Sequence, residues 1–289
     1  MNKEKNAVIH ALTAIFIWAT IASVFKLTLK YFSPVLMIFY SSAISAVFIF
    51  FIAAAKKINV FKTGLKDILF SLFVGFLNPF IYYIILLNAY DLLPAQSAQS
   101  LNYTWGITLS IMSAVFLGHK LLKRDYFAIF ICYTGVLVII TKGRPQLFEK
   151  KDISGIILAL SSTIIWASYW IVNTKDKLIP EKRFFFNFLS ASFYAFLYLI
   201  FTSTLDFNIK GFYGSLYIGI FEMGLSFLLW LSAMKLTQNA SRISSMIYLS
   251  PVISLFIIKK FVGEKIMLTT IAGLFLIISG LIFQNYKRK

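Results

Sequence analysis

Ile17-Trp18-Ala19-Thr20 returns as Ile165-Trp166-Ala167-Ser168, 148 residues further along the chain. Other residues repeat at nearly the same interval. Gly75 and Gly219 stand 144 apart, as do Ala89 and Ala233, while Tyr103 and Tyr248, Gly118 and Gly263, and Gly135 and Gly280 stand 145 apart. A pattern carried twice across most of a chain reads as two copies of one structural unit.

The medium follows from composition. At 59% hydrophobic residues, 18% aromatic and a mean hydropathy of +0.81, the chain is far more apolar than a soluble domain, which holds about 45–50% apolar residues. About 20 apolar residues cross a bilayer as a helix, and ten such runs fit: 6–29, 34–55, 66–90, 94–117, 125–141, 152–174, 184–204, 211–235, 239–262 and 267–286. Lipid cannot satisfy exposed backbone groups, and these runs are too long and too uniformly apolar for barrel strands. The expected fold class is therefore all-α integral membrane. Lys142 to Lys151, with Gly143 and Pro145, is the natural joint, giving repeats at 6–141 and 152–286. Five spans is an odd number, so the second copy is expected to be threaded upside down, the inverted-repeat plan of secondary transporters.

The formal charge of +17 would suggest nucleic acid for a soluble protein, but basic residues beside apolar spans set topology. With the N-terminus inside, 18 of the 28 Lys and Arg fall on the cytoplasmic side. Both termini are thus expected in the cytoplasm, with the chain in the cell membrane as a multi-pass protein. Lys3 and Lys5 ahead of an apolar run resemble a signal peptide, yet Trp18 has its counterpart in Trp166, so residues 1–29 read as a retained first helix.

Of eleven acidic residues, only Glu222 lies near the middle of a span. An ionised carboxylate there costs from about 2.5 to more than 10 kcal/mol, so such groups face a cavity or a partner. The neutral acid escapes that cost, and a carboxyl that alternates between the two forms can carry a proton. Its counterpart 144 residues earlier is Asn78, expected to face it across a central cavity, followed by Pro79, which removes a backbone donor in mid-span. Gly106 and Pro251, 145 apart, interrupt the fourth and ninth runs, and matched Gly or Pro breaks in two halves point to a transporter's binding site. Before them stand Asn102, Tyr103 and Trp105 in one copy and Tyr248 in the other. Trp18, Trp166 and Trp170 lie deep in the first and sixth runs, and Tyr82 and Tyr83 follow Pro79. Together these residues suit an aromatic cavity with a few hydrogen-bonding tips, fit for an organic solute rather than a bare ion. Each of them could equally be a packing residue.

Cys132 is the single cysteine, and His10 and His119 are far apart with no carboxylate cluster, so no metal site is expected. No phosphate-binding Gly-x-x-x-x-Gly-Lys-Ser/Thr run and no hydrolase motif occurs. No cofactor is called for, and catalysis has no support.

With both copies laid out, the chain resembles the EamA-type members of the drug/metabolite transporter superfamily over nearly its whole length. Each half opens with Ile-Trp-Ala-Thr/Ser. Asn88-Ala89-Tyr90-Asp91-Leu92-Leu93-Pro94-Ala95 is similar to that family's turn after the third helix, with Ser232-Ala233-Met234-Lys235-Leu236-Thr237-Gln238-Asn239-Ala240 as its second copy. Tyr248-Leu249-Ser250-Pro251 resembles its Ser-Pro break, and Gly263-Glu264-Lys265 its Gly-Glu-Lys/Arg ending. The first copy departs with Trp105-Gly106 and Gly118-His119-Lys120. The resemblance implies ten helices, cytoplasmic termini, alternating access and export of a metabolite. Asn102-Tyr103-x-Trp105 is similar to the branch that exports aromatic amino acids, which carries Pro where Gly106 stands here.

The leading expectation is a secondary transporter that exports a small organic solute, an amino acid or related metabolite, with proton coupling through Glu222. Import of a nucleoside, nucleobase or cofactor-like metabolite is the alternative within the transporter class. A membrane enzyme acting on lipid-linked substrates would need an ionisable cluster at one interface, which the sequence lacks. A non-transporting scaffold would have no solvent-filled cavity.

Overall fold

The computed structural model describes residues 3–117, 123–141, 150–173, 176–202, 205–237, 243 and 246–285. Among them there is no strand. The joint at 142–149 and the Gly118-His119-Lys120 stretch lie outside the described residues.

Six helices among the described residues are long and apolar enough to cross a bilayer: Lys3–Thr28, Pro34–Ala55, Leu65–Leu92, Asp152–Tyr169, Pro180–Thr202 and Ile209–Leu236. Asp125–Thr141 and Leu268–Gln284 are apolar but shorter. Large apolar side chains such as Phe201, Leu268, Phe256 and Phe275 point outward, a surface that water would not tolerate and lipid does. The molecule is a multi-pass, all-helical membrane protein.

Helix α1 is Lys3–Thr28. Helix α2, Pro34–Ala55, starts on Ser33, whose hydroxyl accepts from Leu36 N at 3.3 Å, with Pro34 in the first turn where its missing N–H costs nothing. The third span is not one helix. It runs as α3 (Leu65–Gly75), a π-helical stretch (Phe76–Ile81) and α4 (Tyr82–Leu92). The backbone leaves helical geometry at Asn78 (φ −146°, ψ 120°), since a residue before proline is driven out of the helical region by the ring. Ile209–Leu236 repeats the plan without a proline: α10 (Ile209–Tyr217), a π stretch (Ile218–Leu225) and α11 (Ser226–Leu236).

The run expected at 94–117 is two helices, α5 (Ala95–Asn102) and α6 (Trp105–Leu117), parted at Tyr103-Thr104. Gly106 therefore lies in the first turn after the break rather than at it. Likewise Ile247-Tyr248 forms the turn and Pro251 sits in the first turn of α12 (Leu249–Ile257), where a proline leaves few helical hydrogen bonds to lose. The remaining helices are α7 (Lys123–Thr141), α8 (Lys150–Asn173), α9 (Pro180–Thr202) and α13 (Leu268–Asn285).

The most extensive helix contacts join the first half of the chain to the second: α2 along α9, α7 along α13, α1 against α11 and α12, α4 and α6 against α8. The core is thus shared between the halves. Small residues permit the closest approach. A methyl group on Gly135 would stand 2.5 Å from the Gly273 carbonyl oxygen, and one on Gly273 2.5 Å from that of Gly135, so α7 and α13 touch backbone to backbone.

Candidate functional site

The two tryptophans of the repeated motif come to the same pair of cavities. Trp18 on α1 and Trp166 on α8 line both of two neighbouring cavities, with Trp230 of α11 completing the shared wall. The ring of Trp18 lies 5.3 Å from that of Trp230, and Trp166 lies 4.7 Å from Tyr82.

The inner cavity, of about 70 Å³, is walled by Tyr82, Gln99, Asn102, Tyr103, Trp105, Glu222 and their apolar neighbours, including Phe25 and Leu86. Each element contributes for a local reason. The π stretch in Ile218–Leu225 widens the helix by one residue and carries Glu222, whose carbonyl receives the Ser226 hydroxyl. The break at Tyr103-Thr104 ends α5, leaving Asn102 free to donate to Ser162 Oγ at 2.9 Å and to Tyr82 Oη at 3.3 Å. Tyr83 lies behind the wall and donates to Glu222 Oε1 at 2.9 Å. Glu222 Oε2 and Gln99 Nε2 are buried with no hydrogen-bond partner among the described residues.

The outer cavity, of about 240 Å³, leads from the tryptophans to Asp176, Leu178, Pro180, Arg183 and Lys235. This is the end of the molecule where α1 begins, because Thr237, just after α11, donates to the Glu4 carboxylate at 3.0 Å. At its rim Arg183, 3% exposed, holds three elements together. It donates to Asp176 through Nε at 2.5 Å and Nη2 at 2.9 Å, and through Nη1 to Ser71 Oγ at 2.6 Å and the Asp67 carbonyl at 2.8 Å. Partial burial pushes the Asp176 carboxyl up, but the Arg183 hydrogen bonds and charge, together with the backbone N–H groups of Leu178 and Lys177, outweigh it and hold the group below its ordinary value.

A carboxyl lowered on folding stabilises the fold above its unfolded pKa of about 3.9 and loses that contribution as pH falls through the lowered value. Asp176→Asn is therefore expected to cost about 3 kcal/mol at neutral pH, by leaving a buried guanidinium poorly paired. The gap to the unaltered protein should narrow on acidification, which thermal unfolding in detergent at several pH values would check.

At the opposite end, side chains tie helix ends together. Lys26, near the end of α1, donates to the carbonyls of Tyr90 (2.5 Å), Leu93 (2.9 Å) and Asp91 (3.2 Å), capping α4. Glu264 accepts from the backbone N–H of Ala95 at 2.6 Å and Gln96 at 3.3 Å, capping α5. The Gln96 side chain adds bonds to the Lys265 carbonyl and the Met267 N–H, both 3.1 Å. Gly263, at φ 78°, supplies the left-handed turn that brings Glu264 round.

Of the residues singled out in the sequence, Trp18, Tyr82, Asn102, Tyr103, Trp105, Trp166 and Glu222 line the chamber. Tyr83 reaches it only through Glu222, and Ile247 rather than Tyr248 faces it. Asn78 is 2% exposed and absent from either wall, so the expected pairing of Asn78 with Glu222 across one cavity is not what the structure has. The kink that Pro79 forces packs against α9 instead. The side chain of Trp170 lies outside the described residues. Trp230 and Gln99 were not singled out. Helical spacing was the available signal for Trp230, since Glu222, Ser226 and Trp230 fall at successive i+4 steps.

The comparisons agree with this architecture. A solved crystal structure superposes with a TM-score of 0.72 over 96% of both chains at 19% identity, a likeness of fold alone. The uncharacterized transporter YvbV of Bacillus subtilis (strain 168) is 22% identical, over 100% of this chain and 94% of its own length. An uncharacterized transporter of Archaeoglobus fulgidus is 25% identical over 71% of this chain and 75% of its own. The model of the EamA-like transporter family matches residues 5–141 and again 153–286, and the chain belongs to that family of membrane transporters.

Proposed function

We propose that this protein is a secondary transporter that exports a small organic solute, an amino acid or related metabolite, across the cytoplasmic membrane by alternating access. The observation that carries the reading is the asymmetry of the chamber. It shares Trp18, Trp166 and Trp230 with a wide cavity toward the start of α1, while at the other end Lys26, Gln96 and Glu264 tie helix ends together. With both termini in the cytoplasm, this is the state that loads from inside.

Two matched family stretches and contacts that run mainly between the halves support ten spans in two inverted repeats. Rocking one half against the other would open one end as it closes the other. Glu222, the acid on the chamber wall, would take a proton as solute leaves and release it as solute binds, coupling export to proton entry.

The test is a metabolite profile of medium and cytosol from cells expressing the protein, beside cells expressing Glu222→Ala at equal membrane abundance. A solute enriched in the medium only with the intact chain supports export. Enrichment in the cytosol instead would reverse the direction, and no difference across amino acids, nucleobases and common metabolites would remove the reading.

A further inference from the structure

The charge carried by the solute is written in what surrounds Glu222. Glu222 is 7% exposed, Oε1 is held by Tyr83, and Oε2 is buried on the chamber wall with no hydrogen-bond partner among the described residues. None of the residues lining the inner cavity is Lys, Arg or His. Arg183 is committed to Asp176, and Lys26 to the end of α4.

An ionised Glu222 here lacks a cation among the described residues. A neutral one would place its proton on Oε2, since Tyr83 donates to Oε1, and that proton would have no acceptor. Either form is incomplete without something in the chamber. A cation repairs the first. With Glu222 ionised, a zwitterion or a neutral solute leaves the site with a net negative charge in a medium that penalises it strongly.

The faces of Trp18, Tyr82, Trp166 and Trp230 on the same walls add attraction for an organic cation. Gln99 Nε2, also buried without a partner, is an uncharged donor. It suits a carbonyl, ether or hydroxyl on the solute and contributes nothing to charge balance.

We infer that the chamber selects a monovalent organic cation: a protonated or quaternary amine on an aromatic or apolar body, with an optional uncharged acceptor. An amino acid whose carboxylate is masked as an amide or ester fits; the free amino acid fits poorly. This rests on the transporter reading and narrows its solute.

The test is a titration of the full-length protein in detergent micelles at neutral and at mildly alkaline pH, read by tryptophan fluorescence. Phenylalaninamide and benzyltrimethylammonium are compared with phenylalanine and benzyl alcohol. Both cations are expected to bind about tenfold or more tighter than the other two, a comparison made on the unaltered protein. In Glu222→Gln, checked for folding by gel filtration, the preference should vanish.

Equal or better binding of phenylalanine or benzyl alcohol overturns the inference, as do cations that do not bind or a preference that survives in Glu222→Gln. Proteoliposomes separate this from the transport reading. Cations that bind in the expected order but never cross would sink export and leave the selectivity standing, whereas phenylalanine crossing while cations stay inert would do the reverse.

Discussion

Glu222→Gln is expected to uncouple solute movement from a proton gradient while leaving the protein folded. Glutamine keeps the volume of the side chain and can still accept from Tyr83 through its amide oxygen, so the contact at 2.9 Å need not be lost. It cannot gain or lose a proton, and it presents no negative charge to the chamber. Truncating one charge of a buried pair, here Glu222 with its bound solute, typically costs about 2–5 kcal/mol, so gradient-driven transport in proteoliposomes should fall by about thirtyfold to several thousandfold. The residual flux should be the same with and without an imposed pH difference. Flux in the variant that still follows the gradient would take the proton from Glu222 and assign it elsewhere.

The second large effect is expected at the end that Lys26 caps. Lys26→Met keeps the length and apolar stem of the side chain and removes the donors that reach Tyr90, Asp91 and Leu93. Hydrogen bonds from a charged donor contribute about 1.5–3 kcal/mol each, and 1.4 kcal/mol is a factor of ten in population. The conformation open at that end should therefore gain about tenfold or more. A cysteine placed at Tyr90, in a Cys132→Ser background, reports it through labelling by a membrane-impermeant reagent added outside. Serine at 132 retains a donor for the Ile277 carbonyl, 3.2 Å from Cys132 Sγ. Glu264→Gln should act in the same direction more weakly, since an amide oxygen can still accept from one N–H. Labelling that is unchanged by either substitution would mean that this end is shut by packing alone.

These residues show how far the sequence could be read. Lys26 was legible as a positive charge on the outer side and nothing more, because a cap on α4 requires two segments, 64 residues apart in the chain, to be neighbours. Glu264 was legible as part of the Gly263-Glu264-Lys265 motif, but its bonds to Ala95 and Gln96 reach 168 residues and more back along the chain. Arg183 counted only as a topological charge; its burial follows from Asp176, Asp67 and Ser71 converging on it.

The kinked third span explains the miss at Asn78. Sequence symmetry places Asn78 and Glu222 at equal depth, but depth is not direction. The proline of one copy forces Asn78 extended, whereas the other copy passes through a π stretch that remains continuous. Of the two side chains, only that of Glu222 lines the chamber.

Composition and repetition by themselves determined that this is an apolar, helical membrane chain with its pattern carried twice. Both are properties of residues one at a time or of spacing along the chain: burial in lipid demands apolar side chains and internal backbone bonding. The deep position of Trp18, Trp166 and Glu222 follows from the same counting. Which faces of the helices line the chamber, which charges close one end and which hold the rim were decided only by the tertiary structure. Those depend on the rotation of each helix about its own axis, and that rotation is set by breaks and by packing against helices from the other half of the chain.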